Sequence, residues 1–467
     1  MSDPFAVELE RIAELLPRYA IDGPRYTSYP TAPVWTTAYR PEDFRADLAD
    51  DQIEASDGLS LYVHVPFCDS LCHFCACNKL ITADHTRAAG FLDTIEREID
   101  AVRAATRVPR AATQLHWGGG TPTWLAPAEI QRLFRATTEA FPLRADAEIS
   151  IEVDPRVTTH EHVAVLAECG FNRISMGVQD FDPRVQLAIH RIQPVDQTAR
   201  LVELSRNAGF ESVNFDLIYG LPYQTVASFE RTLDQLFAIG PDRIALYSYA
   251  HVTWIAKQQR GFERKDLPDA ATKLEIMLTA VRRFLAEGYL FIGLDHFARE
   301  GDELAKALAD RSLRRNFMGH TTQAGVDLIG FGPSAISELR ASYAQSQREV
   351  PAWEAAVRER GVATMRGHRL SRADIERRWI INRILCLGEL RAREYEETFG
   401  RAFAEAYKPE LASLEQARGD GLIELDPDGS LRVLPIGRLL VRPVAMAFDA
   451  YLAEQQKSGA RIFSKIV

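Results

Sequence analysis

An α/β fold is predicted: an incomplete (β/α)6 TIM-like barrel with an extended N-terminal arm and a mainly helical C-terminal domain. Three observations predict it. From Leu61 to about residue 295, short β-branched runs alternate with longer amphipathic stretches, the pattern of parallel βα units. The runs end in glycine or polar residues, as they do where a barrel builds its site at the C-terminal ends of its strands. The 467 residues exceed one ordinary compact domain, and a barrel plus an appendage accounts for them. An eight-stranded barrel or a doubly wound sheet is the alternative.

The predicted strands are "LYVHV" (61–65), "TQLHWGG" (113–119), "EISIEV" (148–153), "RISMGV" (173–178), "SVNFDLI" (212–218) and "RIALYSY" (243–249). Between them, 88–105, 127–141 and 226–240 carry apolar residues at three- and four-residue spacing, the mark of helices with one buried face. Residues 1–55 read as a helix and then an arm, "DGPRYTSYPTAPVW", whose prolines and tyrosines suit an ordered extended segment. The barrel is expected over 56–300, and a barrel extension and connecting segment over 301–368. The domain expected over 369–467 is winged-helix-like: helices around "GLIELDPDGSLRVL", a hairpin turning at Asp-Gly.

With 55 Lys plus Arg against 65 Asp plus Glu, the net charge of −10 argues against a general nucleic-acid binder. No run approaches the roughly 20 apolar residues of a membrane span. The acidic N-terminus suits neither a signal nor a transit peptide, so a cytoplasmic protein is expected.

Four of the six cysteines fall in "CDSLCHFCAC". Cys68, Cys72 and Cys75 are spaced C-x3-C-x2-C, and Cys77 follows. Three thiolates can hold three irons of a 4Fe–4S cluster and leave the fourth open for chemistry. A structural zinc site needs a second ligand pair, which this chain lacks, and a redox dithiol needs only C-x2-C. "WGGGTPTWL" closes the second strand with three glycines, which let a backbone approach a ligand closely. Glu152, Gln179 and Asp216 lie near the ends of the third, fourth and fifth strands. Each is an odd polar residue for a buried strand, suited to ribose hydroxyls and a charged sulfonium amino acid or to a structural bond. Arg191 is expected to pair with a carboxylate.

The cysteine loop after the first strand resembles that of the radical S-adenosylmethionine superfamily. The resemblance implies that Cys68, Cys72 and Cys75 carry a 4Fe–4S cluster whose open iron chelates S-adenosylmethionine. Reduction then gives methionine and a 5′-deoxyadenosyl radical. Phe74 is placed to stack on an adenine or to pack the loop, and Gly119, Gly120 and Thr121 match the site for the methionine amine. Taken together, "GPRYTSYPTA", "HVPFCDSLCHFCACNK", "WGGGTPT", "IEVDP", "NRISMGVQDF", "DLIYGLP", "DHFA", "NFMGHTTQ" and "GFGPSAIS" resemble the oxygen-independent coproporphyrinogen III oxidases over nearly the whole chain.

That family implies oxidative decarboxylation of two propionates of coproporphyrinogen III to vinyl groups, with an electron donor for the cluster and an electron acceptor. It also implies a second S-adenosylmethionine. Tyr62, Gly119, Glu152 and Ile336 match positions around the cluster-bound molecule. Phe74, Gly120, Thr121, Gln179, Arg191, Asp216 and Ala250 match those around the second. Arg25, Tyr26 and Tyr29 are candidates to hold the four-carboxylate substrate, with His296, Arg299, Arg315 and Asn316 as weaker ones. His320 departs from the tyrosine expected in the family. Cys77 is expected to be a non-ligand with a catalytic task. A monomer is expected. The alternative, a haem chaperone of the same family, usually lacks both the fourth cysteine and the arm.

Overall fold

The computed structural model describes residues 4–50, 54, 57–253, 256–323 and 325–457. The chain forms two compact units, one of residues 36–276 and 325–369, the other of residues 1–35, 277–324 and 370–467.

The first unit is built on strands β1 (Leu59–Val65), β2 (Ala112–Gly119), β3 (Leu143–Val153), β4 (Arg173–Gln179), β5 (Ser212–Tyr219) and β6 (Arg243–Ser248). All five neighbouring pairs are parallel. They stand in chain order without reversal. A doubly wound sheet reverses its order at a switch point, so the consecutive order selects the partial barrel. All six predicted strands are present, and the helices Arg87–Ala105, Pro127–Ala140 and Val226–Ile239 match those predicted within a residue or two.

A further parallel strand, β7 (Asp327–Phe331), pairs with the outer edge of β1. Antiparallel β8 (Ile336–Leu339), β9 (Ser342–Ser346) and β10 (Thr364–Arg369) continue from it. Buried Arg110 donates to Asp327 at 2.7 Å and fixes the start of β7.

Side chains alternate along each strand. One set, including Leu61, Val63, Leu115, Trp117, Ile151, Met176 and Phe215, is fully buried and forms the apolar core. Burying each such side chain contributes about 1.5–3 kcal/mol. The other set is polar: Gln114 and His116 on β2, Glu148, Ser150 and Glu152 on β3, Arg173 and Ser175 on β4, Asn214 and Asp216 on β5; Gln114 and Arg173 are buried and the rest are partly open. The register sets His116 beside Ser150, Glu152 beside Ser175, and Ser175 beside Asn214.

The second unit contains the helices Pro4–Tyr19 and Arg372–Leu387, the antiparallel pair Tyr289–Gly293 and His296–Arg299, and a three-stranded sheet with Ile423–Leu425 and Leu431–Val433 at its hairpin. Cys386 belongs to an apolar cluster with Ile292, Leu304 and Leu313. The stretch after the hairpin forms three short helices, Pro435–Leu439, Val441–Met446 and Leu452–Lys457. Pro443 has no N–H to return to residue 439, so the first break is built into the sequence. Among the described residues no helix is long and apolar enough to cross a membrane.

Candidate active site

The cysteine loop leaves β1 and is closed at its mouth by parallel pairing of Phe67–Cys68 with Leu80–Ile81. His64 ties the far end of the loop to the strand. Its Nε2 lies 2.9 Å from the Asn78 carbonyl and its Nδ1 3.0 Å from the Tyr62 hydroxyl. These partners assign the proton to Nε2 and leave Nδ1 to accept from Tyr62. Across the loop, His73 N–H donates to the Ile189 carbonyl at 2.9 Å. The Gln259 amide donates to the carbonyls of Phe74 and Ala250, each at 3.1 Å. Phe74 packs on an apolar cluster containing Val185, Ile189 and Leu221.

The glycine turn after β2 is stitched to the same loop. Gly120 N–H donates to the Val65 carbonyl and Thr121 N–H to that of Phe67, both at 2.8 Å. A Cβ on Gly120 would lie 2.5 Å from the Phe67 carbonyl oxygen, so the close approach requires glycine here. Gly119 N–H donates to Glu152 Oε2 at 3.1 Å.

These elements enclose a cavity of about 340 Å³. All four loop cysteines line it, together with Phe74, Gly119, Gly120, Thr121, Glu152, Gln179, Arg191 and Asp216. Tyr62, Ala250 and Ile336 are not among its lining residues. Tyr62 stacks on His116 at 5.9 Å, and the backbone of Ile336 lies against Gly330.

The cavity is acidic at its floor. Burial acts to raise the Glu152 carboxyl, but His116 at 3.4 Å and the Gly119 N–H outweigh it and hold the group below the ordinary carboxylate range. Burial and the nearby Glu152 charge push Asp216 up to about 7, against hydrogen bonds from Asn214 and Ser175. Two carboxyl groups that share a cavity favour a cationic ligand. Beside the thiols, Asp154 pairs with Arg191 at 2.9 Å and Arg156 at 2.6 Å, so the partner expected for Arg191 is Asp154. Burial tends to raise Asp154, and the two guanidinium groups hold it below its ordinary range.

The thiols differ. Burial pushes Cys68 up to about 11. A hydrogen bond between Cys75 and Cys77 holds Cys75 below its ordinary range and pushes Cys77 above it. Among the described residues no three His, Cys, Asp or Glu converge as they would around a single ion. Three thiols lining one cavity with a glycine turn and two carboxyl groups supply the donor set that the implied cluster and its amino-acid ligand need.

The substrate candidates lie in the other unit. Arg25 pairs with Asp295 at 3.3 Å. The Tyr26 hydroxyl donates to Asp449 at 2.9 Å, and the Tyr29 hydroxyl accepts from the Ala450 N–H at 3.0 Å, so both tyrosines anchor the arm. His320 meets His296 edge-on at 5.1 Å. Sequence reasoning missed His64, His116, Asp154 and Arg156. The alternating polar positions of β2 to β5 are a signal that contains His116, whereas loop residues such as Arg156 carry no periodic mark.

Comparison with known proteins gives the same outline. Residues 62–236 match the radical SAM superfamily, and residues 370–440 match the HemN C-terminal domain. The oxygen-independent coproporphyrinogen III oxidase of Salmonella typhimurium is 44% identical over 97% of this chain and 98% of its own. That of Pseudomonas aeruginosa is 40% identical, with 97% and 98% covered. The structure of the Escherichia coli coproporphyrinogen III oxidase HemN, a radical SAM enzyme, superposes with a TM-score of 0.88 at 42% identity, covering 91% of this chain and 97% of that one. Similarity of this extent shows that the chain belongs to the oxygen-independent coproporphyrinogen III oxidase family of radical SAM oxidoreductases.

Proposed function

We propose that this enzyme carries out the anaerobic oxidative decarboxylation of two propionate side chains of coproporphyrinogen III to vinyl groups, giving protoporphyrinogen IX in haem and porphyrin biosynthesis. The observation that supports it best is one cavity lined by Cys68, Cys72, Cys75, the glycine turn, Glu152 and Asp216, in a chain that matches so-named oxidases along almost its full length. When bound, a 4Fe–4S cluster and S-adenosylmethionine supply a 5′-deoxyadenosyl radical that takes a propionate β-hydrogen, after which CO2 leaves and one electron passes to an acceptor.

In this proposal Cys68, Cys72 and Cys75 hold the cluster, and Cys77 stays free of it. Glu152, fixed by Gly119 N–H and His116, and the backbone of Gly119 face the amino-acid part of the cluster-bound cofactor. Tyr62 and Ile336 support that site from behind the cavity wall. Phe74, Gly120, Thr121, Gln179, Arg191 and Asp216 form the place for a second S-adenosylmethionine, and Ala250, joined to Phe74 through the Gln259 amide, supports it from outside the lining. Arg25 contributes a cation toward the substrate, on the arm that Tyr26 and Tyr29 hold in place. The enzyme acts as a monomer in the cytoplasm, with one electron donor for the cluster and a separate acceptor.

No finding supports the haem-chaperone alternative. Anaerobic reconstitution tests the cofactor part of the proposal. Wild-type protein is expected to bind iron and to cleave S-adenosylmethionine on reduction, while Cys68→Ala, Cys72→Ala and Cys75→Ala each lose the brown absorbance. Wild-type iron content in any one of these variants would remove that ligand from the assignment.

A further inference from the structure

Two guanidinium groups converge on one cysteine of the loop. Arg156 Nη2 donates to Cys72 Sγ at 3.4 Å, and Arg191 Nη1 approaches the same sulfur at 3.7 Å. Cys68, by contrast, meets the neutral hydroxyl of Thr121 at 3.4 Å. Asp154 holds both arginines: its Oδ2 accepts from Arg156 Nη2 at 2.6 Å and from Arg191 Nη1 at 2.9 Å, and its Oδ1 accepts from Arg156 Nε at 3.0 Å. Arg191 is further fixed by the Gly177 carbonyl at 2.7 Å and Gln193 at 3.2 Å.

The charges do not balance among these three residues. Two cations face one carboxylate, and the Arg156 side chain is only 17% exposed. A poorly solvated cation needs a counter-charge, and the Cys72 sulfur is the ligand atom placed beside it. Arginine rather than lysine suits the position, because its planar fork reaches the carboxylate and the sulfur at once.

We infer that Arg156, oriented by Asp154, is a positioning residue for the cluster: it donates a charged hydrogen bond to the Cys72 ligand sulfur, and in doing so retains the cluster and raises its reduction potential. The inference rests on the proposed ligation of the cluster by Cys72. Adding an electron makes the cluster more negative, so a cationic hydrogen bond to a ligand sulfur favours the reduced state.

The test compares wild type, Arg156→Gln and Arg156→Lys after anaerobic reconstitution. It reads iron content and the one-electron midpoint potential, in the absence of substrate. Arg156→Gln is expected either to lose iron that Arg156→Lys keeps, or to keep iron with its reduction equilibrium shifted about tenfold toward the oxidised form, about 59 mV lower. Arg156→Lys, which retains the charge, is expected to lie nearer to wild type than Arg156→Gln in both readouts. Wild-type iron and potential in Arg156→Gln would overturn the inference and leave the proposed function intact. Equal loss of iron in both variants would overturn it too, since shape rather than charge would then be what matters. A wild-type protein that takes up no iron would overturn the proposed function and this inference together.

Discussion

The α-carbon of Gly118 faces the carboxylate of Glu152 so closely that a Cβ at Gly118 would lie 2.8 Å from Glu152 Oε2. The glycine thus leaves the space that lets the carboxylate reach the Gly119 N–H. In Gly118→Ala the atom that must yield is the end of a flexible side chain. The fold is therefore expected to keep its thermal midpoint while the carboxylate moves. S-adenosylmethionine affinity is expected to fall at least tenfold, about the strength of one hydrogen bond to a charged group. Calorimetric titration of cluster-loaded protein checks this, and unchanged affinity would argue against Glu152 as a ligand contact.

Glu98 is another buried carboxyl, 3% exposed. Burial pushes it up to about 7, although it accepts from Gly332 N–H at 2.7 Å and Trp353 Nε1 at 3.1 Å. Because its folded value lies above the ordinary value of 4.5, its stabilising contribution is complete below 4.5 and lost as pH rises through about 7. The loss is on the order of 3 kcal/mol. Thermal unfolding of cofactor-free Glu98→Gln between about pH 5 and pH 8 is expected to show a shallower decline than wild type. Asp180 and Asp216, also raised by burial, keep part of the slope in both proteins.

The Arg110–Asp327 pair is nearly sealed from solvent, with the two side chains 2% and 8% exposed. Arg110→Ala strands a buried carboxylate and is expected to destabilise the protein by about 3–5 kcal/mol. The double variant Arg110→Met/Asp327→Leu is expected to recover most of that in a denaturant titration. Recovery no better than the single variant would mean that the pair does more than neutralise itself.

How far the sequence showed this architecture depended on the kind of pattern each part carries. The six barrel strands were legible because β-branched runs ending in glycine or polar residues leave a local trace. Strand β7, "DLIGF", was not, because five residues without a characteristic helix before them say little about which edge they join. The cysteine loop and the carboxyl groups at the strand ends were legible for their chemistry. Asp154 and Arg156 follow a strand in a loop, and the approach of Arg156 to Cys72 from 84 residues away exists only in three dimensions. Tyr26 and Tyr29 were legible as notable residues, while their engagement with Asp449 and Ala450 depends on a long-range contact no local pattern encodes.

Cys77 lines the cavity and is hydrogen-bonded to Cys75, and the proposed function keeps it out of the cluster. Cys77→Ser is expected to keep wild-type iron and to lose at least tenfold in turnover. Wild-type iron together with wild-type turnover would exclude a catalytic task for this thiol.

Product analysis after anaerobic turnover tests the central claim most directly. Reconstituted protein given S-adenosylmethionine, a reductant, an electron acceptor and coproporphyrinogen III is expected to form protoporphyrinogen IX with two new vinyl groups, read by mass spectrometry after oxidation to the porphyrins. Stoichiometric haem binding by the same preparation, with coproporphyrinogen recovered unchanged, would contradict it.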